Sequence, residues 1–305
     1  SEIRISSVKK IIWKYRYLYL LLLPGIIYLI IFKFGPIWGL LLAFQNYSPY
    51  SGFWGSEWVG MKNFIELWQS REFLLMVRNT FAINLLNLVC SFPLPILVAI
   101  MLNEVAHDRF KRVIQSIVYL PHFLSWVVIA SLTLFIFSTD FGVINKIITS
   151  LGGEPIAYLT NPNMFWGLIV GQGIWKDTGW GTILFLASMA SIDMQLYEAA
   201  VMDGAGRLRQ IWHITLPGIR STIITLLILR LGSIFDTGFE QILLMQNALV
   251  RDVSVVFDTY AYTQGIVGGK MSMGIAIGLF KSIIGLIFVI TANTISKKLG
   301  YDGIY

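Results

Sequence analysis

Nine polar and aromatic residues interrupt long apolar stretches of this 305-residue chain. A charge within a bilayer is costly, so such residues usually face a protein interior or water. Their side chains offer hydrogen bonds and flat aromatic faces to a polar solute. We therefore expect three apolar stretches to line a hydrophilic passage. The candidate lining residues are Trp175, Lys176, Asp177, Trp180, Arg230, Asp236, Thr237, Glu240 and Lys281.

The same charges have a second interpretation, in which they pair within the chain and hold helices together. Arg230 or Lys281 is then the cation, and Asp236 or Glu240 is the anion. Asp236 and Glu240 are four residues apart, which places them one turn apart on a predicted helix. The sequence leaves both interpretations open, and in the first of them Arg230 and Lys281 would also attract an acidic solute.

A second group of candidate residues lies in the polar segment 191–217. Ser191 or Asp193 can cap the start of a helix, and residues 194–202 are good helix formers. The glycine at 204 offers a sharp turn after that helix. The pattern predicts a short helix that ends in a glycine turn.

A second short helix is predicted over 208–215, ending before Pro217 because proline disrupts a helix interior. The two helices would form a compact protrusion between apolar stretches. Ala199 and Ala200 give it a face of small side chains, which permits close approach by another protein. The alternative is a hairpin that only connects two membrane spans.

Composition and motifs exclude several classes of function. Hydrophobic residues make up 56% of the chain and charged residues 13%, against about 25% charged in soluble domains. The Gly-x-x-x-x-Gly-Lys-Ser/Thr loop that binds nucleotides is absent from the sequence. One cysteine and three scattered histidines give no metal-ligand spacing. We expect a membrane protein that is not an enzyme, hydrolyses no ATP itself and binds no metal or cofactor.

Six apolar segments are long enough to cross a bilayer, which takes about 20 residues. They are 17–34, which can extend to 44, then 80–102, 113–137, 164–190, 221–245 and 271–295. The expected fold class is therefore an all-α integral membrane protein with six transmembrane helices, and the segment 191–217 lies between the fourth and fifth.

Lysine and arginine placement predicts the orientation, because cytoplasmic loops carry an excess of both. With the N-terminus inside, the inner segments hold 13 of these residues and the outer segments hold 6. Both termini and residues 191–217 are thus expected in the cytoplasm. The expected division is a basic cytoplasmic segment, 1–16, followed by a transmembrane domain, 17–305. The net charge of +6 is explained by this topology, without a nucleic acid partner.

The segment 191–217 matches the EAA motif of ABC importer permeases: Glu-Ala-Ala, three residues, Gly, nine residues, Ile-x-Leu-Pro. The chain carries it without departure, and the resemblance implies a type I permease fold. It also implies that the segment holds a coupling helix, which rests in a groove of a separate ATPase subunit. The coupling residues implied are Glu198, Ala199, Ala200, Asp203, Gly204, Ile214, Leu216 and Pro217.

Further stretches narrow the resemblance. Residues 21–25, 43–47 and 119–122 look like MalF-like sugar permeases, and residues 239–247 and 295–300 are similar to the LplB-type branch of oligo- and polysaccharide permeases. The resemblance implies import of a carbohydrate into the cytoplasm, with an oligosaccharide, neutral or acidic, as the expected substrate. Polar residues of spans five and six contact the sugar in MalF-like permeases, which points to Asp236–Glu240 here.

The resemblance also implies partners and a location. These are a second homologous permease, two ABC ATPase subunits that bind ATP and Mg, and an extracellular or periplasmic solute-binding protein. The chain would lie among the lipids of a bacterial cytoplasmic (inner) membrane. Two alternatives remain: an ABC permease for a non-sugar solute, and an ion-coupled secondary transporter, which often shows inverted repeats.

Overall fold

The computed structural model describes residues 13–298 and 300, so residues 1–12 of the predicted N-terminal segment lie outside the described part. The principal helices are α1, Arg16–Phe44; α2, Lys62–Gln69; α3, Phe73–Asn103; α4, Asp108–Phe123; α5, Trp126–Phe137; α6, Val143–Ser150; α7, Pro162–Met189; α8, Met194–Met202; α9, Arg207–Gly218; α10, Arg220–Gly232; α11, Phe239–Met245; α12, 257–267; and α13, Met271–Lys298. Shorter helical turns cover Gly52–Gly55, Ala248–Val250 and Arg251–Ser254. Two antiparallel strands, β1 (Gln45–Asn46) and β2 (Glu57–Trp58), pair in the first loop.

Within residues 13–298 and 300, helices α1, α3 and α13 are long and apolar enough to cross a membrane. Two bent pairs raise the number to five if each pair is one span: α4 with α5, bent by 101°, and α9 with α10, bent by 57°. The remaining predicted span is α7, whose 28 residues are long enough to cross. Its middle carries Lys176, Asp177 and several glycines, which makes it less apolar than the others.

The predicted fifth span, 221–245, is not one continuous helix in the structure. Helix α10 ends at Gly232, and α11 begins only at Phe239. Between them Gly238 has a φ of +75°, a left-handed conformation that glycine adopts without steric cost. Asp236 therefore lies in the break and Glu240 on the next helix. The prediction that they lie one turn apart on the same helix is wrong.

The predicted end of the second short helix is also wrong. Helix α9 runs through Pro217 to Gly218. The five residues before Leu216 are π-helical, so the backbone widens ahead of the proline. The change of direction comes at Ile219, where α9 continues into α10 after the 57° bend. The protrusion is thereby joined directly to a membrane helix.

Helix α7 lies at the centre of the described chain, because two separate apolar cores form along it. One core lies at its start and the other at its end, near the bend into α10. The first contains Phe165 and Ile169 with Ile83 and Ile242, and the second contains Phe185 and Met189 with Ala99 and Ile219. A Cβ on Gly179 would lie 2.1 Å from the carbonyl oxygen of Val118, so only glycine lets α7 approach α4 this closely.

Candidate functional site

A cleft of about 500 Å³ lies between α3, α7, α10 and the break that follows α10. Five of the nine predicted passage residues line it, from three different parts of the fold. They are Asp177 and Trp180 on α7, Arg230 on α10, and Asp236 and Thr237 in the break. The remaining four predicted residues lie elsewhere: Lys281 lines a neighbouring cleft, and Trp175, Lys176 and Glu240 line neither of the two.

On the α7 side of the cleft, Trp180 is fixed by a histidine. The His122 ring stacks on the indole with centroids 4.5 Å apart and planes at 8°. Nδ1 of His122 lies 3.2 Å from Oδ1 of Asp177. Trp180 remains 50% exposed although one face is covered by the imidazole. The arrangement presents a rigid aromatic surface and a carboxylate side by side at the cleft.

Lys176 serves the bend between α4 and α5 and does not line the cleft. Its Nζ donates to the carbonyl oxygen of His122, at 2.9 Å, and to that of Leu124. These carbonyls lie at the end of α4, where the helical ladder stops and leaves acceptors unsatisfied. The ammonium also lies 5.4 Å from the centroid of the Trp126 ring. Lys176 thus provides a hydrogen-bond donor for the free carbonyl oxygens at the end of α4 and holds His122 beside α7.

Lys281 lies between two carboxylates. Its Nζ is 2.7 Å from Oδ1 of Asp236 and also contacts Oδ1 of Asp258. The lysine side chain is 11% exposed, Asp258 is 20% exposed and Asp236 is 70% exposed. For Lys281, the structure therefore gives the ion-pair arrangement that the sequence left as an alternative. These three residues line a second cleft, of about 680 Å³, which shares Asp236 with the first.

Asp258 was missed by the sequence interpretation, because it lies on α12, between the predicted fifth and sixth spans, without a recognisable spacing. Its Oδ2 accepts hydrogen bonds from the backbone N–H and the hydroxyl of Thr237, each at 3.2 Å. With the contact to Lys281, this one carboxylate connects α12, α13 and the break after α10. It determines where Asp236 and Thr237 stand at the edge of the cleft.

Neutral polar residues of α3 also line the cleft and were not predicted. Asn87 and Ser91 bound a π-helical turn, a feature frequent at functional sites, and Ser91 donates to Oδ1 of Asn87 at 3.1 Å. Asn84 lies one turn earlier, with its Nδ2 2.9 Å from the Thr80 carbonyl oxygen. The available signal was amide side chains three residues apart in an apolar stretch, whereas the sequence interpretation used charges and tryptophans.

A buried amide network lies at one end of the cleft. Nε2 of Gln241 donates to Oε1 of Gln172, at 2.9 Å, and to the carbonyl oxygen of Ile169, at 2.7 Å. Nε2 of Gln172 donates to the Thr133 hydroxyl at 2.6 Å. The network ties α5, α7 and α11 together in a region where polar groups need partners.

The second candidate site is the α8–α9 protrusion, residues 193–218. Oδ1 of Asp193 accepts the backbone N–H of Gln195 at 2.9 Å, which caps α8 at its start. The helix ends at Met202, and Gly204, with a φ of +73°, then reverses the chain. The N–H of Ala205 donates to the carbonyl oxygen of Ala200 at 2.8 Å. The short helix and the glycine turn lie where the sequence pattern puts them.

The two helices of the protrusion are braced against each other. The hydroxyls of Tyr197 and Thr215 lie 3.0 Å apart, and Nε2 of Gln210 donates to the carbonyl oxygen of Ala205 at 2.9 Å. Leu216 packs on the core cluster that surrounds Ile219. The protrusion is therefore attached firmly to the bend that leads into α10.

The tip of the protrusion is exposed and partly apolar. Glu198, Ala199, Asp203 and Gly204 are exposed, and Met202 is 87% exposed. Apolar side chains grouped on an exposed surface mark a protein contact. Of the other predicted coupling residues, Ala200, Ile214 and Leu216 are half-buried and Pro217 is exposed. The tip is thus exposed while Leu216 packs at the base of the protrusion.

Comparison with known proteins supplies a family. Residues 91–301 match the model described as binding-protein-dependent transport system inner membrane component. The chain is 52% identical to Protein LplB of Bacillus subtilis (strain 168) over 290 residues, covering 95% of this chain and 91% of that one. It is 50% identical to the polygalacturonan/rhamnogalacturonan transport system permease protein YteP of the same organism, covering 95% and 90%.

A solved structure agrees with these relatives. The chain superposes with a TM-score of 0.88 and 37% identity on a chain in the crystal structure of a bacterial alginate ABC transporter in complex with an alginate pentasaccharide-bound periplasmic protein. The match covers 97% of this chain and 99% of that one. The similarity therefore extends over the cleft, both bent helix pairs and the α8–α9 protrusion.

Proposed function

The chain belongs to the family of binding-protein-dependent transport system inner membrane components, and from that premise we propose that it conducts an oligosaccharide through the cleft between α3, α7 and α10. It is a permease subunit of a carbohydrate ABC importer. Such an importer works with a solute-binding protein, as the family description states. The finer assignments below concern the substrate, the partners and the orientation.

The cleft has the properties that an oligosaccharide needs. Its volume of about 500 Å³ falls in the range of small-molecule sites. Asp177, Asn87 and Thr237 provide acceptors and donors for hydroxyls, and Trp180 provides a flat apolar surface for a sugar ring. Because these groups come from α3, α7 and the break after α10, relative movement of the helices would change all the contacts together.

Energy enters from partner subunits in this proposal. A second homologous permease completes the passage, and two ABC ATPase subunits bind ATP and Mg, because this sequence carries no nucleotide-binding loop. The exposed tip around Glu198–Gly204 occupies a groove of an ATPase subunit by helix-in-groove recognition. This requires the protrusion and both chain termini to lie in the cytoplasm, as the lysine and arginine distribution favours.

One observation carries the proposal: the protrusion and the cleft are parts of one connected element. The Tyr197–Thr215 contact joins α8 to α9, and α9 passes through the packed bend at Ile219 into α10. The last turn of α10 carries Arg230, which lines the cleft. A displacement of the tip by an ATPase would therefore reach the cleft wall.

Transport by the reconstituted importer tests the proposal. The chain, its partner subunits and the solute-binding protein are placed in vesicles with ATP inside, and uptake of a labelled oligosaccharide is measured. We expect uptake that requires ATP hydrolysis. Uptake without ATP, driven by an ion gradient, would favour a secondary transporter, and ATP-driven uptake of a non-sugar solute with no oligosaccharide uptake would favour the other alternative.

A further inference from the structure

The cations near the cleft differ in what they contact. Lys281 is held by two carboxylates, and Lys176 donates to two backbone carbonyls. Arg230 is exposed and lines the cleft. Within the part of the chain that the structure describes, its guanidinium has no hydrogen bond or ion pair. The acids of the cleft give it none either, because Asp177 contacts His122 and Asp236 contacts Lys281.

An arginine in this position needs a counter-anion. Arg230 lies in the last turn of α10, which belongs to one of the bent membrane-spanning pairs. The negative end of a helix dipole favours a cation there, but this effect is small beside the cost of a charge at membrane depth. Intramembrane charges of this kind mark substrate pathways. No described residue supplies this anion, so the cleft has room for one that is brought by a bound solute.

We propose that Arg230 determines substrate specificity by binding the carboxylate of an acidic sugar unit in the cleft. A guanidinium presents paired N–H donors whose spacing fits the two oxygens of a carboxylate. Asp177 and Trp180, on the α7 wall, then contact the hydroxyls and ring of the same oligosaccharide. A neutral sugar would leave the guanidinium without a charge partner, so the cleft favours a uronic acid. This inference rests on the proposed function.

Direct binding to the purified permease–ATPase complex tests the inference without the selectivity of the solute-binding protein. The two probes are an oligogalacturonide and its methyl ester of the same length, which lacks the carboxylate charge. We expect the unmodified complex to prefer the acid. In Arg230→Gln, affinity for the acid falls roughly tenfold to a hundredfold, as expected for loss of charge-assisted hydrogen bonds, while affinity for the ester stays within about twofold.

Two further variants sharpen the test. Arg230→Lys keeps the positive charge but lacks the paired N–H donors of a guanidinium. We therefore expect an intermediate loss of affinity for the acid. Lys33→Gln removes an exposed cation of α1 that lines neither cleft, and it should change neither affinity. Equal weakening of both probes in Arg230→Gln overturns the inference. So does failure of that variant to assemble, since the counter-anion is then an acid of a partner subunit.

The inference and the proposed function fail in different ways. If the unmodified complex binds both probes and Arg230→Gln does not change their ratio, the carboxylate role is wrong and the oligosaccharide passage stands. If the unmodified complex binds neither probe but binds another class of solute, both are wrong.

Discussion

Two tryptophans on α7 offer the most direct test at the scale of single residues. Trp175 and Trp180 are 49% and 50% exposed, and both were candidates for sugar contact. Only Trp180 lines the cleft, and only Trp180 is stacked on His122. The structure therefore assigns different roles to two residues that the sequence could not distinguish.

We predict that Trp180→Ala lowers oligosaccharide uptake about tenfold, because an aromatic contact and its buried area are lost. The effect should be a raised KM with normal assembly of the complex. Trp175→Ala is the matched control and should change uptake by less than about twofold. Equal losses in the two variants, measured in the same vesicles, would contradict the position assigned to the sugar.

Asp258 and Asp236 make the same kind of contact with different burial. Asp258 is 20% exposed and also bonds Thr237, while Asp236 is 70% exposed. Breaking a buried pair leaves an uncompensated charge and costs about 3 kcal/mol, whereas an exposed pair contributes roughly 0–1 kcal/mol. Burial thus gives Asp258 the structural role and leaves Asp236 free to exchange Lys281 for another partner.

We therefore expect Asp258→Asn to lower the thermal stability of the purified complex markedly. Asp236→Asn should leave stability nearly unchanged and reduce uptake. Thermal unfolding of the two variants beside the unmodified complex separates these outcomes. A greater loss of stability in Asp236→Asn would show that the break after α10 is held by some other contact.

At the scale of elements, the turn between α8 and α9 depends on one glycine. Gly204 has a φ of +73°, whereas Gly206 has a φ of −69°. A side chain in the left-handed region costs about 1–2 kcal/mol, and neither glycine has a neighbour within 4 Å of an added Cβ. The difference between the two positions is therefore one of backbone conformation.

Gly204→Ala should change the direction of the tip and weaken binding of the ATPase subunits. A conformational cost of about 1–2 kcal/mol corresponds to a loss of affinity of roughly fivefold to thirtyfold. Gly206→Ala should be tolerated. Co-purification of the ATPase subunits with each variant provides the measurement. Full capture by Gly204→Ala would mean that the direction of the α8–α9 turn does not matter for docking.

The sequence predicts some elements well and others poorly, for physical reasons. Hydrophobic runs locate the long helices, and the Asp193 cap with the glycine at 204 predicts α8, because those signals are local. The break after α10 is held by Asp258, which lies 21 residues beyond its partner Thr237 in the chain. The neighbours of Lys176 and Lys281 likewise come from distant segments. Patterns along one sequence do not contain such contacts.

At the scale of the whole molecule, the described chain presents surfaces that suit a larger assembly. No side chain of Arg16–Phe34 is buried, so this part of α1 faces lipid or another membrane helix. The apolar tip of the protrusion is a second such surface, attached through α9 and α10 to the cleft. In this account, the cleft binds the substrate and the protrusion receives the movement that drives transport.

Site-directed photo-cross-linking from position 202 tests whether the protrusion contacts an ATPase subunit in the cytoplasm. Met202 is 87% exposed at the tip, and a cross-linking side chain there should capture an ATPase subunit in the assembled importer. The control is position 50 in the first loop, where Tyr50 is fully exposed. A cross-linking side chain there should capture only proteins that lie outside the cell. Capture of an ATPase subunit from position 202 is the predicted result. Reaction of position 202 with external reagents, or with no ATPase subunit, would contradict the account.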